Sequence, residues 1–68
     1  MEYRINTEAL ELFMKEHNLS TTKFAKLCGI SISAMRKILD NNLDVDMVAI
    51  FKLSKYIGIH IAQLVIPV

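Results

Sequence analysis

At 68 residues the chain has room for one domain and little room for a substrate pocket, so a second domain is excluded. Its apolar fraction of 53% and mean hydropathy of +0.35 are high for so short a chain, which makes self-association a reasonable expectation. Net charge is only +1, yet residues 17–39 hold Lys23, Lys26, Arg36 and Lys37 and no acid, whereas the segments before and after them are net negative.

In chain order, "MEYRI" alternates in the manner of a strand and predicts an N-terminal arm over residues 1–5. Asn6 or Thr7 then caps a first helix, with Leu10, Phe13, Met14 and His17 at helical spacing and Asn18 suited to the left-handed exit. Ser20 caps "TTKFAKLC", whose Phe24, Leu27 and Cys28 are expected to face inward, and Gly29 supplies a sharp exit. Ser31 caps a third helix reaching about Leu39. At 100° per residue its Ile32, Ser33, Arg36 and Lys37 occupy an arc of about 140°, with Ala34, Met35 and Ile38 opposite. Asp46 caps a fourth helix with an inner stripe of Met47, Ile50, Leu53, Ser54 and Ile57, ended by Gly58; "HIAQLV" allows a short fifth. The terminal "LVIPV" is apolar and β-branched but carries a proline, so it reads, like "MEYRI", as an extended arm or an interface strand. The whole is an all-α bundle of about five short helices in a single domain over residues 1–68.

Several chemistries find no support. Cys28 is the one cysteine, so no internal disulfide forms; this fits a reducing compartment, and a cytoplasmic location is expected. The N-terminus has acids where a signal peptide needs a basic and then an apolar region, and "IGIHIAQLVIPV" is too short and too interrupted to span a membrane. Cys28 reads as a small buried residue rather than a nucleophile. His17 and His60 lack further ligands at metal-binding spacing, and Asp44 and Asp46 have no catalytic companions. No enzymatic activity, metal, cofactor or small-molecule ligand is expected.

Ala25, Gly29 and Met35, supported by Phe24 and Ile38, give the stretch from Thr21 to about Leu39 a pattern that resembles the helix-turn-helix of the phage repressor/Cro (XRE-type) family. A small residue at 25 lets two helices approach, glycine at 29 permits a positive φ, and Met35 and Ile38 seat the second helix on the core. The resemblance extends over about residues 7 to 65. It implies a lambda-repressor-like fold and a sequence-specific DNA-binding regulator, repressor-like and of phage or mobile-element type. Thr21 and Thr22 would then lie on the phosphate backbone, with Ile32, Ser33, Arg36 and Lys37 in the major groove. Arg36 would address guanine O6 and N7, Ile32 a thymine methyl, and Lys37 a phosphate.

Two departures from the family pattern stand out. Many members place an arginine near the end of helix 1 and a glutamate at the end of helix 3 as a buried ion pair; here the positions hold Met14 and Leu39, which are expected to touch, since an apolar pair can replace a buried ion pair at little cost. The loop after helix 3, often basic in the family, reads "DNNLDVD": Asn41 and Asn42 offer amide donors to a phosphate, but Asp40, Asp44 and Asp46 oppose one. Binding by a monomer is expected to be weak and dimerisation to be needed. The apolar C-terminus allows two arrangements, closure of the monomer's core together with Met1, Tyr3 and Ile5, or a two-fold interface through Ile59, Ile61, Leu64, Val65 and Ile66. The dimer is the favoured one; it would set recognition helices roughly 34 Å apart on a near-palindromic double-stranded site. The rival function is a protein-interaction module on a helix-turn-helix scaffold, with weak or no DNA binding.

Overall fold

In the computed structural model, which describes residues 2–68, a polar side chain starts each of the five helices. Asn6 Oδ1 accepts from Ala9 N ahead of α1 (Thr7–Glu16), Ser20 Oγ from Lys23 N ahead of α2 (Thr21–Cys28), and Ser31 Oγ from Ala34 N ahead of α3 (Ile32–Leu39). Asp46 Oδ1 accepts from Val48 N at α4 (Met47–Ile57), and His60 Nδ1 does the same for Ala62 N at α5 (Ile61–Leu64). Each satisfies one of the orphan N–H groups that open a helix, an interaction generally worth about 1 kcal/mol. The exits are equally local: Gly29 and Gly58 take φ of 77° and 75°, and Asn18 and Asn41 follow at 53° and 59°.

The core is built from one face of each helix: Leu10 from α1, Phe24, Ala25 and Cys28 from α2, Met35 and Ile38 from α3, Ala49, Ile50 and Leu53 from α4, and Leu64 from α5. Phe13, half-buried, stacks on Phe24 at a centroid distance of 5.6 Å and meets Tyr56 edge-on at 5.9 Å. Met14 and Leu39 are each partly buried against this core. No polar or charged residue is buried among the described residues, so cohesion rests on apolar packing.

The two ends join each other. Strand β1 (Tyr3–Ile5) pairs antiparallel with β2 (Val65–Pro67), Arg4 opposite Ile66 and Ile5 opposite Val65. Asn6 N donates to Leu64 O at 2.8 Å and Val68 N to Glu2 O at 3.0 Å, closing the chain into a ring. The expected N-terminal arm is thus a paired strand over Tyr3–Ile5; Met1 lies outside the described residues. Arg4 also meets Glu8 at 3.2 Å, an exposed pair. The Glu8 carboxyl sits below its ordinary pKa through a backbone hydrogen bond first and Arg4 second.

Four side chains differ from their expected places. Leu64 is fully buried in the core of the chain instead of standing exposed on the C-terminal segment. Leu27 faces outward, because Phe24, Ala25 and Cys28 already fill the inner arc of α2. Met47, in the first turn of α4, is exposed, and Ala49 packs inward instead. His17 is exposed at the end of α1, stacked on Phe13 with Nδ1 3.0 Å from Phe13 O. Ser54 is half-buried, its Oγ donating to Ile59 O.

Candidate nucleic-acid interface

α2 and α3 are joined by a short turn whose geometry follows from three residues. Gly29 turns the chain through its positive φ, its N–H donating to Lys26 O, while Ile30 N donates to Ala25 O and Ser31 caps the next helix. Ala25 is fully buried, which lets the two helices approach closely. Lys52 of α4 braces the turn from outside, Nζ donating to Gly29 O at 3.3 Å. That brace joins residues 23 apart, and nothing in the local sequence signals it.

On α3 the two faces separate cleanly. Met35 and Ile38 are fully buried and Ala34 is half-buried, whereas Ile32, Ser33, Arg36 and Lys37 are all exposed. An isoleucine at 39% exposure on an otherwise polar face is available for apolar contact with a ligand. Arg36 has no acidic neighbour within ion-pairing distance, as the Arg4–Glu8 pair is the only salt bridge among the described residues. Lys37 bends toward the loop, Nζ donating to Asp44 O at 3.4 Å, a long contact that a phosphate would readily replace. Thr22 is exposed and Thr21 half-buried at the start of α2, where the first N–H groups have no intrahelical acceptor.

The loop after α3 has local duties of its own. Asn41 Oδ1 accepts from Ile5 N at 2.6 Å, tying the end of α3 to β1, and Asn42 Oδ1 accepts from Asp44 N at 2.9 Å. Both amides therefore spend their oxygens inside the fold, and what they can turn toward an anion is the Nδ2 donor. The link to β1 was not legible in the sequence, since it spans 36 residues.

Cys28 is buried, and burial pushes its thiol up to about 11, which keeps it protonated and unreactive at neutral pH. Among the described residues no three His, Cys, Asp or Glu side chains come together as metal ligands, and no helix is long and apolar enough to cross a membrane.

Comparison with known proteins agrees with this geometry. No curated protein matches the chain, but the family of Cro/C1-type HTH DNA-binding domains matches it over residues 9–68, which takes in α2 to α5 and all but the first two residues of α1. With the match covering nearly the whole chain, the protein belongs to the Cro/C1-type HTH DNA-binding domain family and is a DNA-binding transcription regulator.

Proposed function

We propose that the protein is a repressor-like regulator, of phage or mobile-element type and acting in the cytoplasm, that binds a near-palindromic DNA site as a homodimer. α3 enters the major groove, with Ile32, Ser33 and Arg36 on base edges and Lys37 on a flanking phosphate. Thr21 and Thr22 hold the backbone at the start of α2, and Asn41 and Asn42 add amide donors from the loop. The observation that carries this reading is the exposed, acid-free outer face of α3, held rigid from behind by Met35 and Ile38. Its positive charge is concentrated where the docking helices lie, although Asp40 and Asp44 border it.

Fluorescence anisotropy with random duplex DNA and with DNA flanking the protein's own gene, at two salt concentrations, tests it. Wild type is expected to prefer the flanking DNA, with affinity falling as salt rises. Arg36→Ala is expected to cost about 1–3 kcal/mol on the preferred sequence and much less on random DNA. Lys37→Ala is expected to weaken both equally and to reduce the log–log salt slope by about 0.9 per protomer. Equal binding by wild type and an Arg36→Ala/Lys37→Ala double variant would remove α3 as the reading element, and no binding of wild type to either duplex at low salt would favour the protein-interaction module.

A further inference from the structure

We infer that the outer face of α4 is the surface through which two copies of this chain associate, by antiparallel packing of α4 on α4 about a two-fold axis. The inference rests on the homodimer in the proposed function and names its interface.

α4 turns Ala49, Ile50 and Leu53 inward, yet its opposite face is not polar: Met47, Val48 and Phe51 are 54%, 54% and 55% exposed. With Lys52 and Lys55 they fill an arc of about 140° at 100° per residue. The three apolar side chains present on the order of 300 Å² of adjoining surface, comparable to the largest apolar patch of a typical monomer, which is often a functional one.

Charge indicates what covers it. α4 contains no acid and carries its cations at its midpoint, Lys52, and in its last turn, Lys55, whereas Asp44 and Asp46 stand just before its first turn. The face thus runs from acidic through apolar to basic. A second copy laid antiparallel meets that order reversed, which is the self-complementarity a two-fold interface requires. With the axis between residues 49 and 50, Val48 packs on Phe51 of the other copy, Met47 on the stem of Lys52, and Asp44 faces Lys55. Neither the Asp44 carboxylate nor the Lys55 ammonium has an ion-pair partner within the protomer among the described residues.

The other surfaces fit a second copy less well. At the C-terminus Leu64 is fully buried, and Ile61 and Val65 already pack on the core. The free edge of β2 is blunted by Pro67, which has no N–H, and by Val65, whose N–H bonds to Ile61 O; on β1, Ile5 N is taken by Asn41. The α4 face also adjoins α3, because Val48 and Lys52 line one groove with Ser33 and Lys37, so association there places the partner beside the DNA-reading helix.

Sedimentation equilibrium of the full chain without DNA tests this, with circular dichroism to confirm folding. Wild type is expected to show a reversible monomer–dimer equilibrium. Phe51→Glu is expected to raise its dissociation constant at least tenfold, and Asp44→Lys and Lys55→Asp severalfold each, while the Asp44→Lys/Lys55→Asp double variant regains affinity. A chain that stays monomeric, a dimer insensitive to Phe51→Glu, or a double variant no better than its singles would overturn the inference. Because no DNA is present, each of these outcomes leaves the role of α3 to be judged by the Arg36 and Lys37 variants alone.

Discussion

Asn41 shows how one side chain can serve two ends at once. Its φ of 59° lets the chain leave α3, and its Oδ1 holds Ile5 N at 2.6 Å, so it joins α3 to the terminal sheet. Glycine at this position keeps the left-handed backbone and loses only the hydrogen bond, a loss of about 1 kcal/mol, more if Ile5 N is left without an acceptor. Alanine loses the bond and adds about 1–2 kcal/mol of backbone strain. In urea denaturation Asn41→Ala is thus expected to be less stable than Asn41→Gly, and both less stable than wild type. Equal stability of the two variants would show that the φ value carries no cost. DNA affinities of Asn41 variants have meaning only at temperatures where each remains folded.

At the scale of elements, the helices were legible because their signals are local. Ser20, Ser31 and Asp46 announce their helices within three residues, and Gly29 and Gly58 end theirs, so sequence and structure agree on all of these. The outward face of α3 was legible for the same reason, as periodicity alone separates Arg36 from Met35. What escaped depends on distant partners. Leu27 and Met47 are as apolar as their buried neighbours, but the inner arcs are taken by Phe24, Ala25 and Cys28 on α2 and by Ala49, Ile50 and Leu53 on α4, which leaves them outside. "MEYRI" and "LVIPV" each look like strands, but nothing local says that they pair with one another. Ile5 is the measure of that pairing, being fully buried although it lies beside the chain end. Ile5→Ala is expected to cost about 2–5 kcal/mol, a large share of what a small domain possesses. The corresponding fall in melting temperature is at least about 8 °C for a chain of this size. A shift of a degree or two would mean that β1 is an appendage to the helices rather than part of their core.

For the molecule as a whole, the central question is how a protein with a net charge of only +1 holds a polyanion. Segregation supplies part of the answer, with four cations and no acid over residues 17–39, and a second copy would double the positive face without changing its character. Asp40 works against both stability and binding. It is the C-cap of α3, its N–H donating to Arg36 O, and its carboxylate therefore stands at the negative end of the helix dipole as well as beside the face proposed to read DNA. Asp40→Asn removes the charge with little change in shape. It is expected to stabilise the fold by about 0.3–1 kcal/mol through the dipole. The same substitution is expected to tighten binding to any duplex severalfold at low salt. That second gain should fade near 1 M salt, where the screening length falls to about 3 Å. Thermal melts and anisotropy titrations on one variant separate the two effects: a gain in stability with no gain in affinity would put the end of α3 away from the phosphates, and with it the docking of the helix along its whole length in the groove.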